Sequence, residues 1–185
     1  ILGAYGDGGF VTTNDRKIYQ KIRRLRFYGM EQINPSKWWN KKYFAVDNGT
    51  NSRLSEIQAS ILNLKLKYIN KYINRRKQIA KMYDNGIKNP NITKPYVNKY
   101  NSHVYHLYVV AHKKRDLILK LMKKNKVFLG IQYPYPLHKM LAYKDSVKKN
   151  LKITEKLSNR IFSLPTYPSI ENSKIKKIIK LLNQI

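Results

Sequence analysis

Apolar residues recur every three or four positions through much of this 185-residue chain, a spacing that predicts helices. In residues 14–27 (NDRKIYQKIRRLRF), Ile18, Tyr19, Ile22 and Leu25 share one face and predict a buried stripe. Asn14 or Asp15 can cap that helix, the arginines at its end suit the helix dipole, and Gly29 reads as a left-handed stop. Leu54, Ile57, Ile61, Leu64 and Tyr68 form a second stripe. Ile69, Tyr72, Ile73, Ile79, Met82 and Tyr83 continue it, predicting one long helix, or two with a bend, up to Asn85-Gly86. Asn89-Pro90 and Lys94-Pro95 mark a connecting loop.

Alternation and short apolar runs predict strands at 10–13, 103–111 and 127–131. Further helices are predicted at 115–125, 152–162 and 173–182, so the last hundred residues read as a small α+β domain. Residues 31–46 show no clean period, and Trp38-Trp39 within them read as packing surfaces.

Composition alters this picture little. Lys and Arg number 38 against 10 Asp and Glu, a formal charge of +28. Such an excess raises nucleic-acid binding as a class. Yet the lysines are spread through nearly every segment amid abundant Ile, Asn and Tyr, a compositional bias rather than a binding stripe. The expectation is no nucleic-acid partner. No apolar run is long enough for a membrane span, so no membrane insertion is expected either. The chain has no cysteine, which removes disulfides and thiolate metal sites and fits a cytoplasmic protein. His103, His106, His112 and His138 are too scattered to argue for a metal.

Three stretches carry the candidate chemistry. The first, ILGAYGDGG, packs Gly3, Ala4, Gly6, Gly8 and Gly9 into one loop where backbone can approach a ligand. The second, NGTNSRLSEIQ, places Gly49, Asn51, Ser52, Arg53, Glu56 and Gln58 at a helix entry, where free N–H groups favour an anion. The third, QYPYPLHKMLAY, stiffens Tyr133 and His138 with Pro134 and Pro136.

In this order, the three resemble the DegT/DnrJ/EryC1/StrS family of pyridoxal-phosphate-dependent sugar-nucleotide aminotransferases. Ile1 to Gly9 match the part of K-x-L-G-A-x-G-D-x-G that follows the family's cofactor-binding lysine. By that register the lysine immediately precedes Ile1, and no catalytic residue falls within this sequence. Gly49, Asn51, Arg53, Glu56, Gln58 and Ala59 match G-x-N-x-R-x-x-E-x-Q-A. Tyr133, Pro134, Pro136, Leu137 and His138 match H-Y-P-x-P-L-H, with Gln132 standing where many members have histidine. Tyr28-Gly29-Met30 resembles members that aminate carbon 3 of a deoxysugar. His106-Leu107-Tyr108-Val109 and Leu164-Pro165-Thr166-Tyr167-Pro168 resemble further family elements and read as structural.

The resemblance implies an α/β, fold-type I aminotransferase, of which this is the C-terminal half. Residues 1–52 would close the large cofactor-binding domain, 53–86 form a long connecting helix, and 87–185 make the small domain. It implies pyridoxal 5′-phosphate as cofactor, with Asn51 reaching the phosphate across a homodimer whose active sites are shared. Tyr5, Gln132, Tyr133 and His138 would meet the nucleotide sugar, and no metal is implied. The implied reaction aminates a nucleotide-linked keto-6-deoxyhexose, a dTDP-3-keto sugar by preference, with glutamate as donor, for surface glycans such as lipopolysaccharide. Two alternatives stay open: a dehydratase of the same family, with histidine in place of the lysine, and a basic nucleic-acid-binding module.

Overall fold

Asp15 starts the first helix. Its carboxylate accepts the backbone N–H of Lys17 at 2.7 Å and of Ile18 at 3.2 Å, satisfying donors that have no partner inside a helix. Helix α1 runs Arg16–Leu25, and the computed structural model describes residues 2–31, 44–143 and 150–185. The Trp38-Trp39 pair lies outside the described residues. After α1, Tyr28 and Gly29 take positive φ, 56° and 68°. The chain reverses there, and the Gly29 N–H bonds back to the carbonyl of Arg24 at 3.0 Å.

The reversed segment meets residues 45–52. Tyr28 N–H donates to Thr50, Thr50 N–H to Leu25, and Ser52 N–H to Arg26, at 2.8–2.9 Å. Two glycines make this approach possible. A Cβ at Gly29 would lie 1.7 Å from the Asp47 carbonyl oxygen, and one at Gly49 would lie 2.0 Å from the Gly29 nitrogen. Arg24 adds charge on this side, 3.2 Å from Glu31 and 3.1 Å from Asp47. The Arg24–Asp47 contact is Coulombic: the two facing atoms, Nε and Oδ2, lack hydrogen-bond geometry.

Helix α2 (Glu56–Leu66) and helix α3 (Ile69–Gly86) follow. Of the two arrangements the sequence allows, the structure has two helices, interrupted at Lys67-Tyr68. There the N–H groups bond three residues back, to Leu64 and Lys65, instead of four. The chain divides into two compact units close to this break, Leu2–Ile69 and Asn70–Ile185.

In the second unit, β1 (Tyr108–Ala111) pairs antiparallel with β2 (Ile161–Leu164), Tyr108 opposite Leu164 and Val110 opposite Phe162. Isolated bridges add Thr93 beside Ala111 and Gly130 beside Ser163. Helices α4 (Arg115–Lys124), α5 (Lys152–Ser158) and α6 (Asn172–Asn183) complete it. One core joins Ile79 and Tyr83 of α3, Tyr108, Val110, Phe162 and Leu164 of the sheet, Ile118 and Met122 of α4, and Ile175, Ile178 and Leu182 of α6.

Several expected elements differ. Residues 10–13 form no strand: no described segment pairs with them, and Phe10 is 75% exposed. The face of α1 carrying Ile18 and Tyr19 is not buried. The 127–131 strand reduces to the bridge at Gly130. The helix expected over 152–162 ends at Ser158, because Phe162 and Leu164 follow a two-residue period and supply β2 instead.

Candidate functional site

Within the first unit, the glycine-bearing loop and the entry to α2 are tied together. Gln58 reads both backbone groups of Tyr5: its Oε1 accepts the Tyr5 N–H at 2.8 Å, and its Nε2 donates to the Tyr5 carbonyl. Lys65, two turns further along α2, donates to the carbonyl of Gly3. An amide is suited to this work, since it offers one donor and one acceptor to the matching pair on a backbone. The Tyr5 side chain itself stays 73% exposed, with the Lys65 ammonium 5.3 Å from its ring centre.

Asn51 bridges to Phe27 and accepts the Arg53 Nε–H on its Oδ1 at 3.1 Å. Its amide nitrogen has no partner among the described residues. The Arg53 guanidinium lies 5.0 Å from the Phe27 ring centre and 5.8 Å from that of Tyr28. Those stacked contacts hold the cation beside Asn51. Thr50 and Ser52 hydroxyls stand 2.8 Å apart on the same segment. An amide donor, a guanidinium and two hydroxyls on consecutive residues suit a phosphate. Arg53 was legible as a motif position but not as part of this donor set; its stacking on Phe27 is what assigns it.

An open groove of about 850 Å³ lies along α1, lined by Arg16, Arg23, Arg24, Arg26 and Arg53 with Tyr19 and Phe27. Composition hid it, because these arginines were indistinguishable from the general basic excess.

The second unit carries the other candidates. Tyr133 is 75% exposed, at the head of the proline-stiffened loop. Gln132 turns inward and lines a cavity of about 320 Å³ with Arg76, His106, Ser163 and Thr166. His138 does not stand open: only 5% of its side chain is exposed, and its Nε2 lies 2.9 Å from Glu155 on α5. That hydrogen bond, with Lys139 at 3.3 Å adding its charge, holds the Glu155 carboxyl below the usual carboxylate range despite partial desolvation. His138 thus ties the loop to α5. Tyr5 and Asn51 belong to one unit, and Gln132, Tyr133 and His138 to the other. Among the described residues no cluster of three or more His, Asp or Glu is arranged for a metal, and no helix is long and apolar enough to cross a membrane.

The architecture matches solved enzymes of one class, sugar aminotransferases and their kin. DesV of S. venezuelae superposes with a TM-score of 0.88 at 29% identity, over 98% of this chain and 47% of that one. A DegT DnrJ EryC1 StrS aminotransferase from Brucella abortus gives 0.87 at 30% identity, over 99% of this chain and 47% of its own. Residues 1–183 match the model of the DegT/DnrJ/EryC1/StrS aminotransferase family, and the chain belongs to that family. Among curated relatives, the dTDP-3-amino-3,4,6-trideoxy-alpha-D-glucose transaminase of Micromonospora megalomicea subsp. nigra is 38% identical, over 100% of this chain and 49% of that protein. The dTDP-3-amino-3,6-dideoxy-alpha-D-galactopyranose transaminase of Aneurinibacillus thermoaerophilus is 36% identical, over 96% of this chain and 46% of its own. The chain spans about half the length of the curated relatives it matches.

Proposed function

We propose that this chain is the C-terminal part of an enzyme that transfers an amino group to carbon 3 of a nucleotide-linked keto-6-deoxyhexose, with dTDP as carrier and glutamate as donor. The observation that carries this reading is the 36–38% identity to two dTDP-3-amino-sugar transaminases across at least 96% of the chain. In this reading residues 1–52 end the large domain, 53–86 connect, and 87–185 form the small domain. The enzyme works in the cytoplasm as a homodimer and feeds surface-glycan synthesis.

Pyridoxal phosphate is the cofactor of the reading, supplying an electron sink that lets an amino group leave one carbon and join another. The chain's own part is to bind and orient. The amide nitrogen of Asn51 and the Arg53 guanidinium beside it hold the phosphate, in the partner subunit's site. Gln58 fixes the backbone of Tyr5, so the glycine loop keeps one shape next to the cofactor. Tyr133 offers its exposed hydroxyl to the sugar. His138 acts as a positioning residue: its bond to Glu155 sets where the loop carries Tyr133.

The test uses the full-length protein with a dTDP-3-keto-6-deoxyhexose and ¹⁵N-glutamate. The expected product is an amino sugar carrying one ¹⁵N, seen by mass spectrometry. A sugar that loses a hydroxyl and gains no nitrogen would make the protein a dehydratase. Cross-subunit service by Asn51 is read by mixing Asn51→Ala protein with protein lacking the cofactor-binding lysine; activity regained after subunit exchange is the expected result, and none regained removes that role.

A further inference from the structure

The glycine-bearing loop lies along α2 and runs opposite to the helix. A Cβ at Gly8 would stand 3.3 Å from Leu54 Cδ1, just ahead of α2. Gly6, at φ 116°, turns the chain. Tyr5 then meets Gln58 in the first turn, with the amide oxygen on the Tyr5 N–H at 2.8 Å and the amide nitrogen on its carbonyl. Gly3 meets Lys65 in the last turn, whose ammonium donates to the Gly3 carbonyl. Positions 58 and 65 are seven apart, two turns of a helix, so they share one face. Both are half-buried, whereas Asn63, Leu64, Leu66 and Lys67 beside Lys65 are exposed.

Lys65 lies outside the three motifs, yet it is committed to this loop. Among the described residues no carboxylate lies within ion-pair distance of it. Its ammonium has instead the Gly3 carbonyl and the Tyr5 ring, whose centre is 5.3 Å away. An aromatic face attracts a cation through its quadrupole, and a charged donor makes a stronger bond to a carbonyl than a neutral one does. A lysine that served only solubility would extend into water; this one folds back onto backbone.

We infer that Lys65 is a positioning residue for the proposed reaction: with Gln58 it clamps residues 3–5 against α2 and so fixes the root of the cofactor-binding lysine. The inference rests on the proposed function for that lysine, which by the motif register stands three positions before Gly3. Gly3 carries the α2 hydrogen bond nearest to it in sequence. A lysine amine sits at the end of a flexible four-carbon stem, so where it can reach depends on where its backbone is anchored. Catalytic groups need to be held to within about 0.5 Å, and a misplacement of about 1 Å can cost about 100-fold in rate.

The experiment uses the full-length protein with Lys65→Met, which keeps a long stem and loses the donor, and Lys65→Arg, which keeps a charged donor. Hydrogen exchange of the cofactor-free protein reads the clamp. In Lys65→Met, residues 2–9 are expected to exchange roughly tenfold faster, the effect of losing one charge-assisted bond, with the core of the second unit unchanged. Steady-state amino transfer from glutamate reads the consequence. There kcat is expected to fall roughly tenfold or more while the KM for glutamate stays within about twofold. Lys65→Arg is expected to restore both. Three results in the variants overturn the inference: unchanged exchange in Lys65→Met, so that Lys65 does not hold the loop; faster exchange with kcat unchanged, so that the hold does not reach the reaction; or exchange quickened equally in both units, so that Lys65 supports the fold. A parent protein that forms no amino sugar removes the proposed function and the inference with it, whereas an active parent with any of those three results removes the inference alone.

Discussion

The two units hold themselves together in different ways. Among the described residues, Asn70–Ile185 buries fifteen apolar side chains in one core drawn from α3, the sheet, α4, α6 and the segments that connect them. The described part of Leu2–Ile69 buries none of its large apolar side chains: Ile57 on α2 is 73% exposed, and α1 has no buried residue. What the first unit has instead is backbone pairing between 25–30 and 45–52, two glycines in close contact, and the Gln58 amide on Tyr5. One unit rests on apolar burial, the dominant favourable term in folding. The other presents apolar stripes at helical spacing and fixes its loops with polar and backbone contacts. A surface of that kind marks an interaction face, which accords with a chain that spans about half of its relatives' length.

The sharpest way to break this contrast is to remove the same atoms from both units. Ile118→Ala on α4 empties a fully buried position and is expected to cost about 2–5 kcal/mol. Ile57→Ala on α2 is expected to stay within about 0.5 kcal/mol in the isolated chain, as exposed substitutions do. Hydrogen exchange followed by mass spectrometry reads the two units apart. A loss above about 2 kcal/mol from Ile57→Ala, the lower bound for emptying a packed site, would mean that α2 is packed after all.

Gly29→Ala comes next in size and strikes the first unit where it is tight. The residue sits at φ 68°, and its added Cβ would collide with the Asp47 backbone carbonyl, not with the movable end of a side chain. Left-handed strain and overpacking together put the cost at about 2–4 kcal/mol. Exchange is expected to quicken in residues 25–30 and 45–52 and to stay unchanged in the core of the second unit. Equal quickening in both would show that the units unfold together.

The same contrast explains what could be read in advance. Helices α1, α3, α4 and α6 were legible, because caps such as Asp15 and stops such as Gly29 and Gly86 act locally. The α3 part of the second unit's core was legible too, since Ile79, Met82 and Tyr83 repeat at helical spacing and do pack, whereas the β2 part was read as helix. In the first unit the same periodicity in Ile18 and Tyr19 gave the right helix and the wrong burial. Periodicity reports which face is apolar, not what covers it. Residues 10–13 failed as a strand for a related reason: a strand needs a neighbour, and propensity does not supply one. In the candidate site, the motif positions Asn51 and Gln58 were visible, but their contacts were not. That Gln58 grips Tyr5 across 53 positions of sequence, or that His138 is taken by Glu155, depends on distant segments meeting.

The smallest expected effect concerns that last pair, in the second unit, where charge supplements packing. His138 Nε2 lies 2.9 Å from Glu155 Oε1, and the Lys139 ammonium lies 3.3 Å from the same oxygen. The folded pKa of Glu155 lies below its unfolded value, first because of the His138 bond. A depressed carboxylate contributes stability above its unfolded pKa, about 4.3, and loses it as pH falls through the lower folded value. The carboxylate's own contribution is therefore present near neutral pH and is lost as pH falls below about 4. Glu155→Gln keeps the size of the side chain and removes the charge. Relative to the parent, it is expected to destabilise the loop at 131–138 near pH 7 and to lose that difference progressively as pH falls through the lowered folded pKa of Glu155, as read by exchange in that segment. Because Glu155 is partly exposed, the effect should be small beside Ile118→Ala and Gly29→Ala. A difference that persists undiminished in acid would mean that the introduced amide disturbs packing, and that the ion pair is not what holds the loop to α5.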